Sequence, residues 1–296
     1  MNYTEEHNII LEINRKSFFD DYPLFHTINN DNIGMIKLLK NYANKHNIIL
    51  ELNGKDSNYN YPILCALKNN NIEILKCLNY AKENNITLII NEKNRYFGNY
   101  PLLFSVYNKN IEMVKLLINY AKENNITLKL NDKNKFEGYY PLLLVSKNDN
   151  YIMTKLLLKY SEEYNSDLKI DDEYPLFYAV KNNSNKMFKQ LMNYAKAKNV
   201  TLNLNEKNKY NRYLLLLASK NNNIEIIKLL INYAKEYNII LEVNGKIKNG
   251  YYPLLYAVKN NNIKIVKLLM NYVKRNSIIL KVTKRIWMVI ILYPTQ

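Results

Sequence analysis

Apolar and polar positions along this chain alternate on a long period. A short apolar run opened by a tyrosine gives way to an asparagine cluster. A longer stretch follows, such as "IKIVKLLMNYV", in which apolar residues return every three or four positions, and then a polar link with a brief apolar–polar alternation. The opening phrase, "YPLF" or "YPLL" and at Tyr61 "YPIL", begins at Tyr22, Tyr61, Tyr100, Tyr140, Tyr174 and Tyr252, with a degenerate "YLLL" at Tyr213. Successive spacings are 39, 39, 40, 34, 39 and 39 residues. Self-similarity at such a fixed period is the signature of a repeat array.

Each period predicts a helical hairpin. Proline follows the tyrosine at Pro23, Pro62, Pro101, Pro141, Pro175 and Pro253, where a first-turn proline is preorganised and loses no needed donor. The first helix, such as Pro253 to Lys259, stops at asparagines such as Asn260 to Asn262, a residue type that tolerates the left-handed conformation of helix ends. In the second helix Ile263, Val266, Met270 and Val273 share one face, and Ile265, Leu268, Leu269 and Tyr272 widen the stripe. So broad a stripe must be covered on both sides, as stacking between repeats does. The short fourth period loses its residues in the link "LKIDDEYP", which marks the link as the length-tolerant part. The expectation is an all-α, helical-hairpin repeat solenoid with short extended links.

The phrase "YPLLYAVKNNNIKIVKLLM" resembles the ankyrin repeat, through Pro253, Leu254, Ala257, Val266, Leu268 and Leu269, and in the preceding copy through Leu215, Ala218, Ile227, Leu229 and Leu230. The resemblance runs from Tyr22 to Leu280, over seven copies. Residues 1–21 read as the second half of a further unit, and residues 281–296 leave the pattern. Tyrosine stands where the family has threonine, so the helix start lacks that hydroxyl cap. Phe25, Leu64, Leu103, Leu143, Phe177, Leu216 and Leu255 stand where the family has a buried histidine. The glycine turn becomes Asn70, Asn183, Asn222 or Asn261, or Asp31, Lys109 or Asp149. The resemblance implies a non-catalytic protein-interaction scaffold.

Net charge of +16 and a pI near 9.4 point to an acidic partner, or to nucleic acid as the alternative. An A- and T-rich coding sequence would raise Lys and Asn without selection for binding, so composition alone does not separate these readings. Cys65 and Cys77 fall on apolar helical positions and read as buried reduced thiols, which fits a cytoplasmic or nuclear setting. The N-terminus "MNYTEEHNII" is not a signal peptide. The tail's apolar run, Ile286 to Tyr293, is far shorter than the roughly 20 residues a membrane span needs.

No catalytic constellation, cofactor motif, metal-ligand spacing or small-molecule site is legible. His7, His26 and His46 are scattered, and Glu73, Glu112 and Glu225 recur once per repeat as a solvated face. One column does suggest function. Seven residues after each tyrosine stand Asn29, Lys68, Tyr107, Lys147, Lys181, Lys220 and Lys259. In ankyrin repeats this end of the first helix faces the concave groove, and stacking would place the ammonium groups about 10 Å apart, comparable to a Debye length. A shared positive potential there would steer an acidic protein partner. Lysine near a helix C-terminus also has a purely structural rationale in the macrodipole. The link tips, Arg95, Tyr96 and Phe97 or Lys135, Phe136 and Glu137, form a second candidate surface.

The tail has its own explanation. Read one base earlier, codons for Val282 to Tyr293 can encode Asn-Glu-Lys-Asn-Met-Asp-Gly-Tyr-Tyr-Pro-Leu, the missing link and the start of another repeat. Trp287, Met288 and Val289 force the Asp-Gly. The tail is therefore expected to be a frameshift product, with an improvised apolar cap as the alternative. An array cut at both ends also leaves room for an effector domain elsewhere in a longer protein.

Overall fold

The computed structural model describes residues 10–71, 77–170 and 173–280, with the side chains of residues 77, 78 and 173 left aside. The expectations for residues 1–9, Glu73, the Cys77 side chain and the tail with Trp287 lie outside the described residues. The helices come in successive pairs, the second the longer except in the pair α3 and α4: α1 (Pro23–Asn29) with α2 (Ile33–Lys45), α3 (Pro62–Lys68) with α4 (Cys77–Glu83), α5 (Pro101–Tyr107) with α6 (Ile111–Glu123), and α7 (Pro141–Lys147) with α8 (Tyr151–Glu163). Then follow α9 (Glu173–Lys181) with α10 (Asn185–Ala197), α11 (Leu214–Lys220) with α12 (Ile224–Glu236), and α13 (Pro253–Lys259) with α14 (Ile263–Arg275). No strand occurs among the described residues.

The chain divides into two compact units, Met1–Val145 with Lys159–Asp167, and Ser146–Leu158 with Leu168–Gln296. In the first, α1, α3 and α5 pack side by side, with α2 against α1 and α6 against α5. In the second, α9, α11 and α13 form one row and α10, α12 and α14 the other. Each core is a file of leucines, isoleucines and wholly buried tyrosines, including Tyr22, Tyr61 and Tyr100 in the first unit and Tyr213, Tyr233 and Tyr252 in the second.

Local chemistry sets the helix boundaries. The tyrosines before α1, α3, α5, α11 and α13 are extended and make no side-chain cap bond. Proline opens four of these five helices, α11 starting instead on Leu214. The turn between paired helices holds a left-handed residue at Asp31, Asn70, Lys109, Asp149, Asn183, Asn222 and Asn261. An asparagine next to it caps the second helix: Asn32, Asn110, Asn150, Asn223 and Asn262 each accept from a backbone N–H three residues on, at 2.9–3.1 Å.

Two expectations need correction. Tyr174 does not take the buried helix-capping place: α9 begins one residue earlier, at Glu173, and Tyr174 lies inside it, 44% exposed. The short link before it lacks the residues that elsewhere carry the chain past the core before the helix starts. In α14 the buried positions are Ile265, Leu269, Tyr272 and Val273, whereas Ile263 is exposed and Val266, Leu268 and Met270 are half-buried.

Repeats are joined by polar side chains whose partners lie one repeat away. In each second helix a tyrosine hydroxyl accepts the backbone N–H of a link leucine. Leu11, Leu50, Leu88 and Leu128 donate to Tyr42, Tyr80, Tyr120 and Tyr160 in the first unit at 2.8–3.1 Å. Leu168, Leu202 and Leu241 donate to Tyr194, Tyr233 and Tyr272 in the second, over the same range. The tyrosines that precede the first helices work the other way. Tyr22, Tyr61, Tyr100 and Tyr213 donate to the carbonyls of Glu51, Glu92, Asp132 and Gly245 at 2.8–3.0 Å, holding the link that leaves the same hairpin. Burial pushes all four phenols far above their ordinary pKa, so they remain donors. Gly245 is required here by close approach: a Cβ on it would lie 2.9 Å from the Tyr213 ring.

Asparagine amides supply the remaining joints. Asn69, Asn108, Asn221 and Asn260 donate to the carbonyls of Ile28, Leu67, Val180 and Ser219 at 2.6–3.0 Å, satisfying carbonyls that end the preceding first helix. In the links, Asn14, Asn53, Asn91 and Asn205 each donate to one backbone carbonyl and accept one backbone N–H of the next link, at Ile49 and Glu51, Thr87 and Ile89, Thr127 and Lys129, and Ile240 and Glu242. A primary amide so placed does what a strand's peptide group would do. Much of the chain's asparagine therefore has a structural task, whatever the base composition of its gene.

Candidate partner-binding surface

The column named from the sequence falls at one structural place. Asn29, Lys68, Tyr107, Lys147, Lys181, Lys220 and Lys259 are each the last residue of a first helix, and each is exposed. Their backbone surroundings explain why. The carbonyls at these helix ends are taken by asparagine amides of the following repeat, while the side chains are left to solvent beside the negative end of the helix dipole. In the first unit Tyr107, 59% exposed, borders a cleft of about 50 Å³ with Phe104, Glu137 and Tyr139. In the second unit Lys181 lies 5.3 Å from the centre of the Tyr178 ring. Lys259 lies 4.9 Å over Tyr251 and donates to its hydroxyl at 3.3 Å.

Part of the lysine on the second helices is ion-paired. Lysines on the second helices meet carboxylates from the next repeat: Lys40 with Glu83 at 3.0 Å, Lys122 with Glu163 at 2.7 Å, Lys189 with Glu225 at 2.8 Å, and Lys196 with Glu236. Hydrogen bonds from Lys122 and Lys189 hold Glu163 and Glu225 below their usual carboxylate range. Glu112 pairs with Lys115 on its own helix at 2.8 Å. These acids form a solvated, lysine-matched face, as their periodic recurrence suggests. By contrast, Lys68, Lys181, Lys220 and Lys259 make no ion pair among the described residues. On the second helices Lys37, Lys264, Lys267 and Lys274 likewise make no ion pair among the described residues, so what distinguishes the first-helix lysines is their shared place at the helix end.

Sequence reasoning missed a neighbouring column, the residue just before each tyrosine that opens a hairpin. It reads Asp21, Asn60, Asn99, Tyr139, Glu173, Arg212 and Tyr251, and repeat phase alone would have exposed it. In the first repeat Asp21 pairs with His26 at 3.1 Å, and a hydrogen bond from Ser17 lowers the Asp21 pKa. In the last, Tyr251 stacks on Tyr256 with ring centres 4.8 Å apart. This column thus adjoins the lysine column and brings in Arg212, a cation left out of the expected set.

Some of the link-tip side chains meet. Phe97 and Phe136 meet at 5.8 Å, Arg95 lies 5.9 Å over the Tyr59 ring, and Lys135 donates to the Arg95 carbonyl at 2.6 Å. Glu137 is drawn inward by Asn134 at 3.2 Å. Cys65 is a buried free thiol, its pKa pushed up to about 12 chiefly by burial. Among the described residues no group of three or more His, Cys, Asp or Glu could hold a metal ion, and no helix is long and apolar enough to cross a membrane.

Paired helices, a left-handed turn between them and an extended link, repeated along the chain, define the architecture of each unit. Residues 196–279 match the family model for ankyrin repeats, in three copies. The crystal structure of the ankyrin repeat domain of Bcl-3, an IkappaB family member, matches the chain with a TM-score of 0.55, at 18% identity, over 84% of this chain and 98% of that one. Residues 196–279 thus match ankyrin repeats, and the chain has the fold of an ankyrin repeat solenoid. Comparison with curated proteins returns no match. Ankyrin repeats generally mediate protein–protein interaction and typically form a non-catalytic scaffold. In this chain the family's buried polar positions are replaced, and the tyrosine and asparagine bonds described above join one repeat to the next.

Proposed function

We propose that this ankyrin-repeat chain is a non-catalytic scaffold that binds an acidic protein partner along the exposed ends of its first helices. The observation that carries the reading is positional: exposed lysines recur at one structural place, the last residue of a first helix, at Lys68, Lys181, Lys220 and Lys259, and none of these four makes an ion pair among the described residues. Tyr107, Lys147 and Arg212 complete the proposed contact set. Cations held on a folded surface accelerate encounter with an acidic partner and discriminate against basic ones. Exposed aromatics beside them supply contact area that a purely electrostatic surface lacks. A reducing compartment, cytoplasm or nucleus, suits the free buried thiol of Cys65.

The test is charge removal on one face against the other. Replacing Lys181, Lys220 and Lys259 by glutamine should reduce partner recovered on the immobilised chain by about tenfold or more at physiological salt. The same change at Lys264, Lys267 and Lys274, on the second-helix layer, should leave recovery within about twofold. Equal losses from both triple variants would overturn the assignment of the face. Nucleic acid as partner would instead give a logarithmic salt slope close to one per phosphate contacted, and binding that nuclease abolishes.

A further inference from the structure

Within the second unit the basic surface does more than repeat. Tyr251 and Tyr256, from the last hairpin, stack with ring centres 4.8 Å apart and an interplanar angle of 27°. Lys259, three residues beyond Tyr256 on α13, donates its ammonium to the Tyr251 hydroxyl at 3.3 Å. That hydroxyl uses a lone pair in the bond and keeps its own proton for another acceptor. From the neighbouring repeat comes Arg212, its guanidinium 5.4 Å from the centre of the exposed Tyr210 ring. The Arg212 backbone is fixed at both ends: Asn208 Oδ1 accepts its N–H at 3.1 Å, and its carbonyl accepts the Asn208 N–H at 3.0 Å. Arg212 and Tyr251 hold the same place, one residue before the buried tyrosine, in neighbouring repeats whose first helices α11 and α13 pack together, and the charges of Arg212 and Lys259 both oppose the rise that burial gives the Tyr256 phenol. No carboxylate is among the groups acting on it.

Two cations from adjacent repeats, both without an ion pair among the described residues, thus flank a stacked tyrosine pair with a hydroxyl proton to offer. Such a constellation recognises an oxyanion: the guanidinium binds carboxylate or phosphate in bidentate fashion, the ammonium adds a point charge, and the phenol adds a directed donor. A stacked pair of rings holds the donors in place at small entropic cost. We propose that Arg212, Tyr251, Tyr256 and Lys259 form a discrete oxyanion subsite that seats one carboxylate or phosphate group of the acidic partner. The proposal rests on the binding face assigned above and adds a specific anchor to it.

The test uses the full chain and a fluorescein-labelled octaglutamate peptide, followed by fluorescence anisotropy at low salt. Arg212→Gln and Lys259→Gln should each weaken the peptide about tenfold, and Tyr251→Phe a few-fold, with unchanged circular dichroism. Lys264→Gln, on the exposed side of α14, should stay within about twofold. A peptide with one central phosphoserine, bound more tightly by the wild type but not by Arg212→Gln, assigns phosphate as the preferred group; equal binding of both peptides assigns carboxylate. Equal losses at Arg212, Lys259 and Lys264 would reduce the site to general charge and overturn it. Losses confined to Lys181→Gln and Lys220→Gln would overturn the subsite and leave the binding face standing. A wild-type chain that does not bind the peptide would remove both.

Discussion

Tyr100→Ala is expected to lower the unfolding free energy by about 4 kcal/mol, among the largest effects of any single side chain in the first unit. Tyr100 is wholly buried, and its hydroxyl donates to the Asp132 carbonyl at 3.0 Å, tying the departing link to the start of α5. The substitution opens a cavity of aromatic size and leaves that carbonyl without its donor. Tyr100→Phe keeps the ring and isolates the hydrogen bond, at about 1 kcal/mol. Tyr174→Ala supplies the contrast. It belongs to the same sequence column but lies half-exposed inside α9, so its loss should be about 1 kcal/mol or less. Urea unfolding of the three variants separates these outcomes. Near-equal losses at Tyr100 and Tyr174 would mean that sequence phase, rather than the structural place described here, decides the tyrosine's worth.

The second large effect concerns asparagine. Asn108→Asp should destabilise the chain by about 2 kcal/mol at neutral pH, although it changes only one terminal group. The Asn108 amide donates to the Leu67 carbonyl at 2.6 Å, at the end of α3. A carboxylate cannot donate there. It sets negative charge against a carbonyl oxygen and against the negative ends of two helices, α3 and its own α5. The sign with pH follows from the same argument. The carboxyl in this position has a folded pKa above its unfolded value, so the penalty is small below the unfolded pKa and grows as pH rises through the folded one. Thermal melts at pH 4 and pH 7 should therefore differ more for the variant than for the wild type. A variant as stable as the wild type at both would show that the asparagines are compositional filler.

The hairpin period was legible because each element carries its own local cause. Proline after tyrosine starts most of the first helices, asparagine ends them by accepting the left-handed region, and the apolar stripe of the second helix calls for neighbours. The chemistry of the joints was not legible in that way. Tyr120 in "NYAK" reads as one more apolar residue of the stripe, and nothing local says that its hydroxyl accepts the Leu88 amide from the preceding link. Asn91 reads as a loop residue, yet its amide spans two backbone groups of the next link. Such roles depend on registration between repeats some 40 positions apart, which composition and helical periodicity do not contain. Tyr174 shows the converse: phase assigned it a buried place, and the five residues missing from its link moved it out.

For the candidate site, sequence phase found the helix-end column but not which of the chain's lysines are compensated. Lys122 and Lys181 are equivalent as letters; the first meets Glu163 from the following repeat, and the second faces a tyrosine ring. Arg212 escaped notice because its column holds acidic, neutral and aromatic residues in other repeats, and only in the last two hairpins does it join a cationic cluster.

The most direct test of the binding face is site-specific photo-crosslinking from single positions in the full chain under native conditions. With the photoreactive residue at Lys220, on the end of α11, the account predicts covalent capture of an acidic protein, and at Lys267, on α14, none. Capture only from Lys267, or equally from both positions, or of nucleic acid in place of protein, would contradict it.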